Sequence, residues 1–231
     1  MKKAEGKKIT IKKNGPYEVS GGVTLNQALI EADAKGTSTA WKKGRAYEGH
    51  DEPYHLCRCG QSDKKPYCDG SHETANFHGR EKAQRPPYTE NASLEPGPRV
   101  NLLDDESLCV VARFCDRGPT VWRLVEGSSD EEVQMALEEA SACPAGRLTI
   151  VDSDGKLLEP KLPVEISAIQ DPVKECRGPL WIKGGIEIEG ADGEKYEVRN
   201  RVALCRCGQS HNQPYCDGAH YNCQEMQGRD K

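Results

Sequence analysis

Ile9 and Ile11 alternate with polar residues inside a lysine-rich start, which is the period of a strand with one buried face; the flanking charge reads as protection of a sheet edge. The run Gly15-Pro16-Tyr17-Glu18-Val19-Ser20-Gly21-Gly22-Val23-Thr24-Leu25 then sets apolar pairs between Gly-Pro and Gly-Gly. The same pattern returns as Gly178-Pro179-Leu180-Trp181-Ile182-Lys183-Gly184-Gly185-Ile186-Glu187-Ile188. Repetition at this distance predicts two β-rich units of one kind. Leu25, Ala28, Leu29 and Ala32 recur at helical spacing before Gly36 and predict a helix in the first unit, where the second has a hairpin turning at Ala191-Asp192-Gly193. Residues 37 to 47 predict a strand pair turning near Gly44, with Trp41 and Tyr47 in the core.

The middle of the chain follows another period. Ser128-Ser129-Asp130-Glu131-Glu132 has capping residues and early acids, and Val133, Ala136, Leu137 and Ala140 then share one helical face. Thr149 to Val151 and a turn at Ser153-Asp154-Gly155 predict a hairpin, and Trp122 and Trp181 lie in strand-like runs. The Pro-rich stretch 79–99 reads as a linker. The fold class expected is α+β and β-rich, with units at 1–78, 100–155 and 156–231, residues 156 to 177 leading into the last one.

Composition narrows the class. In 231 residues the hydrophobic fraction is 35% and aromatics are 6%, and mean hydropathy is −0.77. Each small unit therefore buries little apolar surface, and bound metal can supply the missing folding energy. Eleven cysteines without a signal peptide or a membrane-spanning apolar run point to a reducing, cytoplasmic setting, where paired cysteines read as metal ligands before disulfides. A net charge of −5 gives no pull towards nucleic acid or a membrane surface. Lys2, Lys3, Lys7, Lys8, Lys12 and Lys13 read as a solvated, frayed start rather than a docking patch.

Each β unit ends in a ligand loop. Cys57-Arg58-Cys59-Gly60-Gln61-Ser62-Asp63-Lys64-Lys65-Pro66-Tyr67-Cys68-Asp69-Gly70-Ser71-His72 is matched by Cys205-Arg206-Cys207-Gly208-Gln209-Ser210-His211-Asn212-Gln213-Pro214-Tyr215-Cys216-Asp217-Gly218-Ala219-His220. The thiols of Cys-x-Cys fall on one side of an extended loop, and Cys68 and His72, or Cys216 and His220, fall on one face of a helical turn. Two pairs of ligands suit two bridged irons better than one tetrahedral zinc, although Cys3His zinc sites exist. Asp69 and Asp217 are placed to order the turn, and Arg58 and Arg206 either offset the charge of a bound metal group or are merely exposed. From Gly15 to Cys57 is 42 positions and from Gly178 to Cys205 is 27, so the first copy carries 15 extra residues within 26 to 52.

Both loops resemble the CDGSH motif of the mitoNEET iron-sulfur family, the first letter for letter and the second with Ala219 for Ser. The resemblance implies a [2Fe-2S] cluster on Cys57, Cys59, Cys68 and His72 and another on Cys205, Cys207, Cys216 and His220. It also implies an internal pseudo-dimer, because protomers of that family complete each other's β-cap in pairs. In the middle region Cys109, Cys115 and Cys143-Pro144 lie on the bacterial ferredoxin run with Ala112 at the middle ligand position. This segment resembles a divergent single-cluster ferredoxin domain. Three thiols favour [3Fe-4S], while [4Fe-4S] needs a fourth ligand, for which Cys176 is the nearest spare thiol in sequence; the alternative is a ferredoxin-like fold that keeps only buried thiols.

The expected function is electron transfer or cluster handling with pH-sensitive clusters, without substrate turnover. The partner is a redox protein or an apo acceptor of clusters, and the chain is a monomer with internal two-fold or a homodimer. A structural zinc protein and a redox enzyme subunit are the competing classes. No phosphate-cradling loop, spaced nucleophile and base, or flavin or nicotinamide fingerprint is present.

Overall fold

The structure is a computed structural model describing residues 2–48, 51–228 and 230. The first unit runs β1 (Lys8–Ile11), β2 (Tyr17–Ser20), β3 (Thr24–Ala32), β4 (Ser38–Ala46) and β5 (Tyr54–Leu56), and after the ligand loop a one-turn helix α1 (Ser71–Thr74). The connecting stretch holds α2 (Tyr88–Asn91), and the middle unit holds β6 (Ser93–Glu95), β7 (Asn101–Asp104), α3 (Val121–Val125), α4 (Asp130–Ala142) and β8 (Leu148–Val151). The second β unit is β9 (Glu165–Asp171), β10 (Cys176–Lys183), β11 (Glu187–Glu189) and β12 (Arg201–Leu204).

The two units exchange strands. One sheet has the order β11-β1-β2-β5 and the other β12-β10-β9-β3-β4. β1 is parallel to β11, with Ile9 opposite Ile188, and β3 is parallel to β9, from Thr24 opposite Glu165 to Leu29 opposite Gln170. Swapping units maps β1 onto β9, β2 onto β10, β3 onto β11 and β5 onto β12. Each sheet is thus completed by a strand of the other unit, which is the internal pseudo-dimer expected. Ile9, Ile11, Tyr17, Val19, Leu25, Ile166, Leu180 and Leu204 are buried in the core between them.

Several expectations change. β1 forms, but inside its sheet and not at an edge, because β11 covers its outer side. The lysines beside it are not a frayed start: Lys3 and Lys8 pair with Glu187 and Glu189 at 2.6 and 2.7 Å. The helix expected before Gly36 is instead β3, whose Leu25, Ala28 and Ile30 are buried while it pairs with both β4 and β9. A helix there would leave the β9 edge without partners for its backbone. Residues 38–46 form one strand without a turn; Gly44 sits in it beside Gln27, where the register slips between Asn26 and Ala28. Residues 156–177 are more than a connection, since they contain β9. The extra length of the first copy is therefore the extension of β3 and all of β4.

The middle unit packs α3 and α4 on the β6-β7-β8 sheet through Leu102, Val121, Leu124, Ala136, Ala140 and Ile150. The α4 start has the expected capping box, with Ser129 and Glu132 satisfying each other's backbone N–H. The hairpin after β8 also forms, Gly155 N–H donating to Asp152 O at 3.0 Å. Trp122 differs from expectation: it lies on α3, not a strand, with its Nε1–H donating to Asp104 at 3.2 Å. The stretch 79–99 is docked along its length, Lys82 and Ala83 N–H both reaching Gln213 O and the Tyr88 hydroxyl reaching Leu103 O and Arg147 O. Trp41 of β4 stacks on Phe114 at 4.6 Å, lies 4.8 Å from Trp181 and donates its indole N–H to Ala142 O. The middle unit is thereby tied to the strand the second copy lacks. No helix among the described residues is long and apolar enough to cross a membrane.

Candidate metal centres

Each CDGSH-like loop leaves a strand end and is folded back on it by backbone bonds. Cys57 N–H donates to Pro66 O and Cys68 N–H to His55 O; Cys205 N–H to Pro214 O and Cys216 N–H to Ala203 O repeat the pattern. These bonds bring Cys57 Sγ to 3.8 Å from Cys59 Sγ and Cys205 Sγ to 3.5 Å from Cys207 Sγ. Cys68 Sγ is 3.4 Å from His72 Nδ1, and Cys216 Sγ 3.3 Å from His220 Nδ1. The four-residue spacing does not close as a helical turn, contrary to the sequence reading. It closes through Gly70 and Gly218 at φ of 91° and 86°, with a short helix starting only after them. Ligands are gathered in pairs. Among the described residues no group of three or more His, Cys, Asp or Glu is gathered around a single metal-ion position.

The surroundings suit thiolates. Gln61 and Gly70 N–H point at Cys59 and Cys68 Sγ at 3.4 and 3.5 Å, and Gln209 and Gly218 N–H at Cys207 and Cys216 Sγ at 3.4 Å each. Within each Cys-x-Cys the second thiol's hydrogen bond pulls the first, Cys57 or Cys205, below the usual thiol range. The second then keeps its proton against its neighbour's charge. Binding of a cation is what would release it. Asp69 orders the first turn as expected, accepting from Asp63 N–H at 2.8 Å and from Ser71 N–H and Oγ–H. Asp217 does the same for His211 and Ala219 N–H at 2.8 and 3.1 Å.

Arg58 and Arg206 are buried and work as clamps. Arg206 donates to Gly178 O at 2.6 Å and Ile169 O at 2.8 Å and pairs with Asp230 at 2.9 Å; Arg58 donates to Gly79 O and, at 3.3 Å, to Lys12 O. The two histidines differ. The His220 side chain is buried, and burial followed by the Arg206 charge pulls its pKa down to about 4. His72 keeps 17% of its side chain exposed.

The loops meet back to back. Cys59 and Cys207 form an antiparallel bridge, and a Cβ on Gly60 or Gly208 would stand 2.5 or 2.6 Å from the opposite cysteine's carbonyl oxygen. Tyr17 of the first unit donates its hydroxyl to Cys205 O at 2.8 Å.

In the middle unit Cys109, Cys115 and Cys143 line one pocket of about 360 Å³ with Val110, Phe114 and Trp122. Val111 and Arg113 have φ of 57° and 63°, so the chain from Cys109 to Cys115 coils around the pocket wall. Ala112 lies in that wall where the ferredoxin run has its middle ligand. Sequence reading missed Arg147, which lines the same pocket as Cys109 while gripping Asp104 at 2.6 and 2.8 Å. Its only signal was a cation four residues after Cys143. Cys176 is not at this pocket: it packs with Cys205, Cys207, Cys223 and Met226, its thiol 3.5 Å from His220 O. The pocket abuts the second ligand loop and not the first. A Cβ on Gly218 would meet Val111 at 2.8 Å and Cys109 O at 3.3 Å, whereas one on Gly70 would meet nothing within 4 Å.

Comparison with known families agrees with this layout. Residues 14–73 and 177–221 match the iron-binding zinc finger CDGSH type, and residues 96–153 match the divergent 4Fe-4S mono-cluster family. Neither the curated proteins nor the solved structures include a significant match to the chain.

Proposed function

The chain carries two CDGSH-type iron-binding regions around a divergent mono-cluster ferredoxin-type segment, and from that premise we propose a three-cluster iron-sulfur protein that carries electrons or hands on clusters. The observation that carries the reading is the pairing of ligands, Cys with Cys and Cys with His, twice over at 3.3 to 3.8 Å. Paired ligands suit a two-iron group, so Cys57, Cys59, Cys68 and His72 would hold one [2Fe-2S] cluster and Cys205, Cys207, Cys216 and His220 the other. The apolar pocket with three thiols and Ala112 suits [3Fe-4S] on Cys109, Cys115 and Cys143; Cys176, set against His220, supplies no fourth ligand there. Such groups, once bound, accept and return single electrons, and one imidazole in place of thiolate raises the potential.

The protein's own residues keep those ligands in place. The Asp69 and Asp217 turns fix the Cys–His pairs, backbone N–H groups stabilise thiolate charge, and Arg58 and Arg206 lock the Cys-x-Cys loops to their units. The partner is a redox protein or an apo iron-sulfur acceptor, met in the cytoplasm, and no turnover of a substrate is assigned.

Iron and sulfide analysis with EPR on anaerobically purified protein tests the reading. About seven irons per chain, an oxidised-state signal and further signals after dithionite are expected. About four irons with a silent oxidised state would remove the middle cluster, and a colourless protein holding zinc would remove the whole assignment.

A further inference from the structure

The second ligand loop has a thiol environment that the first lacks. Cys223 stands three residues after His220, where the first copy has Ala75 three residues after His72. Its thiol packs with Cys207 in one buried cluster, lies 4.0 Å from Cys207 O and donates to Glu225 Oε2 at 3.1 Å. On its other side Cys223 lines an open cleft with Gln209, His211, Asn222 and Glu225. Cys223 borders that cleft with 5% of its surface exposed, which gives a small oxidant a path to one member of the pair, and the other member is a ligand in the reading above.

We infer that Cys207 and Cys223 form a redox-sensitive dithiol, which closes to a disulfide in the cluster-free chain and keeps the second site from refilling. This rests on Cys207 being a ligand, as proposed above. With a peroxide as oxidant the step balances. The Cys223 sulfur attacks one peroxide oxygen, the O–O bond breaks, and a sulfenic acid and one water result. The Cys207 sulfur then displaces the second oxygen as water, so two thiols lose two electrons and two protons to one peroxide. Cys205 Sγ also lies 3.5 Å from Cys207 Sγ and is the competing partner, which disulfide mapping distinguishes from Cys223. The first site has no equivalent of Cys223 and stays open under the same conditions.

The experiment uses the full chain freed of iron by anaerobic chelation, given one equivalent of hydrogen peroxide and divided. One portion is alkylated, digested without reductant and mapped by mass spectrometry; the other is offered iron and sulfide with or without a phosphine reductant. The expected result is a Cys207–Cys223 link, with refilling of the second motif reduced at least about tenfold until phosphine is added. Cys223→Ala and Cys223→Ser should refill both motifs equally after peroxide. A Cys205–Cys207 or Cys176–Cys223 link in place of the expected one overturns the inference, as does a Cys223→Ala chain blocked as fully as the parent. If untreated protein takes no iron at the second motif while the Cys207–Cys223 link still maps, the ligand assignment fails and the dithiol stands.

Discussion

A histidine holds iron only while its ring is neutral, so the water around the ring sets how much acid a site withstands. Burial and Arg206 hold the His220 pKa down to about 4. Its folded pKa lies below the unfolded value, so the neutral ring persists as pH falls until that range is reached. His72 is open to solvent on 17% of its side chain. Solvent reaches the first ring and not the second, so the first cluster should bleach at a higher pH than the second, followed by visible absorbance against pH. His72→Cys should remove the early phase and lower that cluster's potential; His220→Cys should leave the early phase in place. An unchanged early phase in His72→Cys would sink His72 as a ligand. The Cys–Cys and Cys–His pairings were legible because metal chemistry needs particular atoms at fixed spacing, and that spacing survives in the letters. Arg147 was not, because a cation near thiols carries no spacing rule and acts only where folding brings it to the Cys109 pocket.

At the scale of elements, sequence order predicted what local chemistry determines. The α4 capping box, the turn at Gly155 and the turn near Gly193 all form where their own residues demand. β3 was misread because Leu25, Ala28, Leu29 and Ala32 fit a helical face, while its real partners lie over 100 residues away on β9 or across a bulge on β4. Tertiary pairing overrode local spacing. β4 in turn carries the anchor of the middle unit. Trp41→Ala removes the Phe114 and Trp181 contacts and the bond to Ala142 O, and should cost about 3 kcal/mol. Hydrogen exchange should quicken in α4 and around Cys143 while the two CDGSH-type loops stay protected; equal loss of protection everywhere would refute the anchoring role.

The whole molecule is organised on the seam where the two ligand loops touch. Gly60, at φ of 81°, faces Cys207 O across that seam, and Gly70, at φ of 91°, faces open space. Gly60→Ala and Gly70→Ala carry a similar backbone strain, about 1 kcal/mol, but only the first pushes the loops apart. Gly60→Ala should lower cluster content at both motifs and Gly70→Ala at the first alone, read as iron content and reduced-state EPR. Loss confined to the first motif in both variants would separate the sites.

The exchanged strands have one more consequence. Two identical chains that complete each other's sheets come apart on dilution and swap partners on mixing, because their union is second order in concentration. Here β1 meets β11 and β3 meets β9 along one covalent chain. The effective concentration of one half for the other is then fixed by tethering, not by abundance. The halves are also released from being identical. Each has acquired its own addition without disturbing a twin: β4 with Trp41 in the first, and Cys223 with its cleft in the second.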